Sequence, residues 1–378
     1  MRIDRVRAYV QRVGDRPRVL VRVDTDEGLS GWGEAYNHGP DRALVPLLEF
    51  MAAQIAGEDP RRVEHVTQKL IRLARFPQGA LGLAAIAAID HALWDILAKS
   101  LGVPVYAVLG GRVRDRVPVY CGLYSAPDPL EVRDRTARLH DEFGFRAFKL
   151  NPYRSPLHEG RWGRLVRESA EYFRQVRENC DDDFDFAFDA HAQIFEPYRA
   201  IELGNALAPW QPLFFEEPIR PEHLPSWTHL RARLEAPLAT GESLYSAHEV
   251  LALLAANGVD ILQPDIAVVG GLSQMRRIAT IAEAHNVPVA PHNPLGPLAT
   301  AHNVHFAAAC SNFMILEFKQ DETSWCPDPY VPTDGHLELR PDRPGWGVEI
   351  DEAALEHDDY VRWERRLPTR PDGSLAFA

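Results

Sequence analysis

Short apolar runs, each closed by a polar side chain, recur along the second half of the chain at intervals of 23 to 27 residues. The residues that close these runs are Asp189, Glu216, Glu242, Asp265, His292 and Glu317. Stretches of helical length, such as 246–257 and 271–285, separate them. Strand and helix alternating at this period predict successive βα units on a parallel sheet.

The closing side chains are therefore expected at the carboxyl ends of parallel barrel strands, where such folds place their chemistry. An acid at a strand end can also simply cap the following helix. That interpretation suits any single acid in the series, whereas six polar residues at one period favour a shared pocket.

The first part of the chain has a different pattern, in which apolar and polar residues alternate and then give way to helical periodicity. The predicted strands cover 6–10, 19–24 and 29–34, and the predicted helices cover about 40–56, 60–75 and 81–101. The last helix is rich in Ala and has a long apolar stripe, so we expect it to pack on both sides. Asp90 and Asp95 within it are interpreted as structural residues. The pattern predicts an antiparallel meander with helices, an α+β domain.

Two further apolar runs, 117–121 and 146–151, supply the first strands of the barrel, so that eight strands are expected in all. After Glu317 the pattern breaks into a Pro-rich stretch around 325–329. The remaining chain is too irregular for another βα unit, and we expect it to pack against the amino-terminal domain.

Composition narrows the class of protein. The chain has 378 residues, of which 46% are hydrophobic and 25% charged, values typical of a globular protein. A net charge of −13 disfavours nucleic acid or an anionic membrane as a partner. The four cysteines are widely spaced, which indicates neither a zinc knuckle nor a disulfide framework. We find no signal-peptide pattern and expect no run of membrane-spanning length, so the cytoplasm is the predicted location.

Three of the closing acids suggest a metal site. Asp189, Glu216 and Glu242 offer only hard oxygen ligands, which favours one Mg²⁺ per active site, with Mn²⁺ as an alternative. A cation held there suits a substrate carboxylate, because removing the proton α to that group creates a second negative charge on it. His292 is placed to act as the base, and Asp265 on the preceding strand to bind its far ring nitrogen.

The ordered set of these residues resembles the mandelate racemase subgroup of the enolase superfamily. The matching segments are Lys149-Leu150-Asn151, Asp189, His191, Glu216-Glu217-Pro218, Gly241-Glu242, Gln263-Pro264-Asp265, Gly270-Gly271, Pro291-His292 and Leu316-Glu317. Within the subgroup, 291–297 and 344–351 most resemble D-galactonate dehydratase and related acid-sugar dehydratases.

The resemblance implies a fold of class α/β, a modified (β/α)7β TIM barrel beneath a capping domain. We place the α+β capping domain at residues 1–112 and the barrel at 113–320. The carboxyl-terminal segment, 321–378, is expected to complete the capping domain.

The resemblance also implies roles for two more side chains. His191 corresponds to the general acid that protonates the departing 3-hydroxyl group; the alternative is a histidine that only binds a substrate hydroxyl. Glu317 would hydrogen-bond the substrate carboxylate as an electrophile if it is protonated, and would otherwise orient it.

Lys149 and Asn151 discriminate between subclasses. Racemases of the subgroup carry a second lysine where this chain has Asn151. An amide cannot take up a proton at neutral pH, so one-base chemistry with a departing hydroxyl fits better than racemisation. We expect both residues to bind substrate, Lys149 by steadying its carboxylate or the neighbouring ligands, with a purely structural role as the alternative.

The chain departs from galactonate dehydratase at two places. It reads Phe76-Pro77-Gln78-Gly79-Ala80 where that enzyme has Arg-Gly-Gly-Pro, and Ala192-Gln193 where the acid histidine is followed by Gly-Arg. The catalytic residues are retained while residues expected to make polar contacts with the substrate differ. The resemblance therefore implies the type of reaction more strongly than the identity of the sugar acid. Loops 12–18 and 35–41 are expected to cap the pocket and select the substrate.

We therefore predict a Mg²⁺-dependent acid-sugar dehydratase, a carbon–oxygen hydro-lyase. Its substrate would be a galactonate-like aldonate and its product a 2-keto-3-deoxy sugar acid. The alternatives are a racemase or epimerase that uses His292 and a second base, and a sugar-acid-binding protein without turnover. A homo-oligomer whose partner is a small sugar acid, and not nucleic acid or a membrane, is expected.

Overall fold

The computed structural model describes residues 1–36, 39–124, 128–154, 157, 161–319, 323–355, 360, 362–363 and 367–376. Its strands are β1 (Ile3–Val13), β2 (Arg16–Thr25), β3 (Ser30–Ala35), β4 (Arg116–Gly122), β5 (Ala147–Leu150), β6 (Asp185–Asp189), β7 (Phe215–Glu216), β8 (Leu238–Thr240), β9 (Ile261–Leu262), β10 (Leu316–Phe318) and β11 (His336–Glu338). Its α-helices are α1 (Leu44–Ile55), α2 (Val63–Arg72), α3 (Gly79–Ser100), α4 (Val105–Val108), α5 (Pro129–Phe143), α6 (Trp162–Asn179), α7 (Pro197–Leu207), α8 (Leu224–Arg231), α9 (Ala247–Ala255), α10 (Leu272–Ala284) and α11 (Pro297–Ala309).

The amino-terminal strands form the predicted antiparallel meander, in the order β1-β2-β3. One face of this sheet lies on α3 at very short range. A Cβ atom built on Gly31 would come within 2.1 Å of the Ala92 carbonyl oxygen, and one on Gly33 within 2.0 Å of the Ala88 carbonyl oxygen. Only glycine fits at these two positions, because the strand backbone touches the helix backbone.

Helix α3 corrects one expectation from the sequence. Among the described residues, one helix is long and apolar enough to cross a membrane, and that helix is α3. It has 22 residues and a mean hydropathy of 1.6 in its most apolar window. The prediction that no run approaches this length was therefore wrong. However, 78% of that window is buried inside the fold, between the amino-terminal sheet and the barrel helices, as expected for a core helix packed on both sides.

The second sheet is parallel and curls into the barrel, with the strand order β10-β4-β5-β6-β7-β8-β9. Between β9 and β10 the predicted strand over 287–292 is reduced to isolated bridges from Val289 to Leu262 and to Phe313. Pro288 and Pro291 lack the N–H groups that a regular ladder needs, which accounts for the difference. The predicted α/β barrel class is confirmed.

The carboxyl-terminal segment contacts both halves of the molecule. The Trp346 backbone N–H donates to Asp95 Oδ1 at 3.1 Å, and its indole Nε1 donates to the Trp32 carbonyl oxygen at 3.1 Å, so Trp346 packs on the amino-terminal part of the chain. It also adds β11 to the barrel, antiparallel to β4, which the sequence did not indicate. The Trp346 ring covers His302 of α11, whose centroid lies 4.5 Å away.

The close approach of β3 to α3 gives a test of the fold. Replacing Gly33 by Ala should lower the free energy of unfolding by about 1–3 kcal/mol or more, because the new methyl group forces the strand away from the helix. Urea unfolding measures the loss. The control is Gly163→Ala in α6, where the new Cβ meets nothing nearer than Arg167 Nη1 at 3.7 Å. An unchanged midpoint for Gly33→Ala would contradict the packing described.

Candidate active site

Two of the predicted metal ligands lie side by side. Asp189 ends β6 and Glu216 ends β7, and the two residues are paired in the parallel register. Both are buried, at 2% and 0% exposure. Glu242 lies just beyond β8, the next strand of the sheet. The strand ends therefore bring the three acids to one edge of the barrel.

A buried lysine lies among the carboxylates. Lys149 Nζ is 2.9 Å from both Glu216 carboxylate oxygens, 3.3 Å from Asp189 Oδ2 and 3.0 Å from Glu317 Oε1. Burial acts to lower the pKa of Lys149, but the Glu216 and Glu317 carboxylates raise it well above its usual value. Lys149 is thus a fixed cation at the centre of the site.

The predicted base, His292, contacts its predicted partner, Asp265. His292 Nδ1 is 2.8 Å from Asp265 Oδ2, and Nε2 on the other side of the ring is 3.2 Å from Glu242 Oε2. Burial acts to lower the pKa of His292, whereas Glu242 and the Asp265 hydrogen bond raise it to about 10. This pKa lies above the usual value for histidine because the ring lies between two carboxylates.

His191 reaches the site through a turn. Strand β6 ends at Asp189, and His191 has a φ of 50°, in the left-handed region. The turn lets the His191 backbone N–H donate to Asp189 Oδ1 at 2.8 Å and brings ring Nε2 within 3.2 Å of Asp189 Oδ2. The ring is partly exposed, so a ligand can reach it.

Glu317 is held ionised. Its Oε1 accepts from Lys149 and from the Tyr124 hydroxyl, and its Oε2 accepts from the Asn293 backbone N–H at 2.9 Å. Burial acts to raise the pKa of Glu317, but Lys149, His292 and the Asn293 N–H lower it to about 2. The geometry therefore favours the orienting form of Glu317 over the protonated electrophile.

Tyr124 connects several predicted residues and was missed from the sequence. Its hydroxyl lies 3.0 Å from Glu317 Oε1, and its ring meets the His191 ring edge-on with centroids 5.3 Å apart. Asn151 Nδ2 donates to the Tyr124 carbonyl oxygen at 3.0 Å, so Asn151 supports this residue. A lone tyrosine after a strand carries no signal that would have singled it out.

Gln263 and Glu217 were also missed as contributors. Gln263 Nε2 donates to Glu216 Oε2 at 2.9 Å. Glu217 is buried and accepts hydrogen bonds from Thr240 and Ser243, the residues that flank Gly241 and Glu242. Both residues belong to the segments quoted above, but nothing in those segments shows which oxygens they reach.

The loops expected to cap the pocket are seen in part. Most of 12–18 belongs to the β1–β2 hairpin, and Arg18 is fully buried, with Nη2 3.0 Å from the Pro294 carbonyl oxygen. Arg18 thus supports a barrel loop from behind. Residues 37 and 38 of the other loop, 35–41, lie outside the described residues.

The donor set fits a divalent cation. Among the described residues no three His, Cys, Asp or Glu side chains already surround a single point as a metal cage. Burial and repulsion from Asp189 raise the pKa of Glu216 well above its usual value, and burial with repulsion from Glu242 raises that of Glu217 to about 8. Crowded oxygen donors whose mutual repulsion raises their pKa are the environment that a hard cation relieves.

Models of two protein families match the chain. Residues 4–110 match the mandelate racemase / muconate lactonizing enzyme amino-terminal domain, and residues 131–354 match the enolase carboxyl-terminal domain-like family. The chain belongs to the mandelate racemase/muconate lactonizing enzyme family of the enolase superfamily. The membership predicted from the ordered residues is confirmed.

Relatives within this family cover almost the whole chain. A D-galactonate dehydratase from Verminephrobacter eiseniae is 37% identical over 370 residues, 95% of this chain and 96% of the relative. A D-galactonate dehydratase from Variovorax paradoxus is 35% identical over the full length of both chains. These family members support the predicted class of enzyme, an acid-sugar dehydratase.

A solved structure in the family is more similar still. An enolase from Agrobacterium radiobacter, provisionally named a galactarate dehydratase, is 57% identical over 100% of both chains, with a TM-score of 0.98. Its crystal structure contains bound Na⁺ and L-malate and has an ordered active site. Members of this superfamily typically use Mg²⁺, which agrees with the oxygen donors found here.

The buried cation gives a test of the site. Replacing Lys149 by Met should lower the free energy of unfolding by about 3–5 kcal/mol in EDTA, because it leaves three buried carboxylates facing one another. Urea unfolding measures the loss. The control is Lys69→Met, which removes a partly exposed ammonium 2.7 Å from Glu58 and should cost less than about 1 kcal/mol. Equal losses in the two variants would contradict a central role for Lys149.

Proposed function

We propose that this enzyme dehydrates a six-carbon sugar acid of galacto configuration to a 2-keto-3-deoxy sugar acid. The observation that carries the proposal is the His292–Asp265 pair, 2.8 Å apart, beside a set of buried carboxylates. The relatives support it, since D-galactonate and galactarate share the galacto configuration.

In this proposal Asp189, Glu216 and Glu242 would hold one Mg²⁺, or alternatively Mn²⁺. When bound, such a cation supplies positive charge that stabilises the enolate form of the substrate carboxylate. Lys149 and Glu317 orient the same carboxylate, Lys149 as a donor and Glu317 through an intervening hydroxyl or water. Asn151 supports Tyr124 next to it.

The first step is transfer of the C2 proton to His292 Nε2. Asp265 accepts a hydrogen bond from Nδ1, which orients the ring and stabilises the imidazolium that forms. Glu242 is the carboxylate that raises the pKa of His292 most; a cation held at the three acids would neutralise it, so that Nε2 could accept the proton. The electron pair of the C2–H bond moves into the enolate.

The second step breaks the bond between C3 and its oxygen. His191 protonates the departing 3-hydroxyl, which leaves as water while the enolate electrons form the C2–C3 double bond. The resulting enol then gains a proton at C3 and loses the proton of its 2-hydroxyl, which gives the 2-keto acid. Tyr124 packs against the His191 ring and keeps it over the site.

We also propose that the chain is divided into a capping domain and a barrel. The capping domain comprises residues 1–112 and the segment after 320, and the barrel between them carries the catalytic residues. A cytoplasmic homo-oligomer remains part of the proposal.

A panel of sugar acids tests the reaction. Aldonates and aldarates of each configuration are incubated with enzyme and Mg²⁺, and 2-keto acid is measured by semicarbazone absorbance. We expect galacto-configured acids to give the product. Deuterium incorporation at C2 without keto acid would instead indicate an epimerase, and neither signal would indicate a binding protein.

Two histidine variants test the roles in the proton transfers. His292→Asn should abolish both deuterium exchange at C2 and dehydration, because the base is lost. His191→Asn should abolish dehydration while keeping exchange, because only departure of the hydroxyl needs the acid. His229→Asn on the exposed face of α8 is the control and should match the wild type. Full dehydration by His292→Asn would refute the assignment of the base.

Metal removal tests the three acids. EDTA should abolish turnover and Mg²⁺ should restore it. Asp189→Asn and Glu242→Gln should each raise the Mg²⁺ concentration for half-maximal activity by at least about tenfold, because each removes a charged ligand. Glu64→Gln on the exposed surface of α2 serves as the control. Turnover that persists in EDTA would refute the need for a metal.

A further inference from the structure

A carboxylate of the amino-terminal sheet caps a barrel helix. Glu34 of β3 accepts from the Gly296 backbone N–H at 2.9 Å and from the Ala299 backbone N–H at 3.0 Å. Gly296 is the N-cap residue of α11 and has no side chain with which to cap it. The first N–H groups of a helix lack partners within the helix and favour a negative charge. Glu34 therefore completes a helix that lies 262 residues away in the sequence.

Arg18 joins Glu34 on the same loop. Its Nη2 donates to the Pro294 carbonyl oxygen at 3.0 Å, and its Nε lies 3.6 Å from Glu34 Oε1. Both side chains are fully buried. An ion pair without solvent exposure is costly unless its members are held by further bonds, and here those bonds are made to the loop that follows His292.

The space around this ion pair is closed. A Cβ atom on Gly296 would lie 2.8 Å from either Glu34 carboxylate oxygen, so the loop backbone and the carboxylate are in direct contact. The other side of the loop is bound to the barrel, where the Asn293 N–H donates to Glu317. The chain from His292 to α11 is thus held between two glutamates, one from each part of the protein.

The same region of the amino-terminal sheet also reaches the loop after Asp265. Tyr36 packs in one apolar cluster with Ala267 and Val268, with Leu295 of the loop that follows His292, and with Ala299 in the first turn of α11. The Arg18 guanidinium lies over the Tyr36 ring, 4.6 Å from its centroid. Contacts from one small patch therefore extend to both loops that follow the two members of the His292–Asp265 pair.

We propose that Arg18 and Glu34 are positioning residues that set the orientation of the His292–Asp265 pair toward the substrate C2 atom. This inference rests on the proposed function for the reaction that it affects. A shift of about 1 Å in a reacting group can cost on the order of 100-fold in rate. The amino-terminal domain then does more than cover the pocket, because it fixes the base from behind.

Glu34→Gln tests the proposal. The amide keeps the size of the side chain but places an N–H₂ group against one of the two backbone N–H donors. We expect kcat and the rate of C2 deuterium exchange to fall together by about 10- to 100-fold. KM for the sugar acid and the Mg²⁺ concentration for half-maximal activity should stay within about twofold, because Arg18 and Glu34 touch neither ligand site.

The matched control is Asp95→Asn. Asp95 is also a buried carboxylate of the amino-terminal domain, and it accepts from the Trp32 and Trp346 backbone N–H groups. It contacts neither of the two loops that follow the His292–Asp265 pair in the hydrogen bonds of the described chain. Asp95→Asn should lower the midpoint of thermal unfolding, while its kcat should stay within about twofold of the wild-type value. A loss of kcat equal to that of Glu34→Gln would show a merely structural effect and overturn the proposal.

A measurement independent of turnover separates this inference from the proposed function. Backbone amide hydrogen exchange over residues 292–300, followed by mass spectrometry, should be faster in Glu34→Gln than in the wild type or Asp95→Asn. Gly296→Ala should give the same local change if Glu34→Gln does not fold. Unchanged exchange in this segment overturns the inference, even if the wild type dehydrates sugar acids. Faster exchange in a protein that dehydrates none of them would refute the proposed function and leave the anchoring of the loop supported.

Discussion

The site depends on holding several carboxylates close together where they are almost fully buried. Asp189, Glu216 and Glu317 are nearly free of solvent, and each would repel the others if nothing compensated them. Lys149 lies within 3.3 Å of all three and supplies that compensation from a neighbouring strand. A buried charge of this kind is stable only when its partners are fixed. The barrel strands fix them, since all four side chains belong to strands whose hydrogen bonds leave the backbone little freedom.

This arrangement also explains why protonation differs between neighbouring carboxyl groups. Glu317 has a pKa of about 2 because it faces Lys149, His292 and a backbone N–H, whereas Glu217 has one of about 8 because it is buried near Glu242. Two glutamates in one site thus differ in pKa through their surroundings alone. Environment, more than residue type, decides which carboxyl can hold a proton and which serves as a fixed anion.

The fold and the pairing of residues at the strand ends could be predicted from the sequence, because both follow from periodicity. The spacing of the strand ends placed Asp189 next to Glu216 and brought His292 to Asp265, and the structure has both pairs. Prediction from the sequence failed where the backbone departs from regular strand or helix geometry. The left-handed turn at His191 contains no glycine that would have indicated it in the sequence. The prolines around Val289 reduce a predicted strand to isolated bridges. Contacts such as that of Glu34 with Gly296 join residues far apart in the chain and leave no local pattern.

The hydrogen bond between Asp95 and Trp346 has a consequence for biosynthesis. The two residues are separated by 251 positions, so the surface of α3 that the tryptophan covers is made long before its cover. At 5–20 residues per second a ribosome needs roughly 13 to 50 seconds to span that distance. During this interval the part of α3 around Asp95 lacks the cover that Trp346 later provides, although the amino-terminal sheet and α2 can already pack against the helix. Nascent chains of this protein are therefore expected to engage chaperones at that helix, and to lose that dependence when Trp346 leaves the exit tunnel.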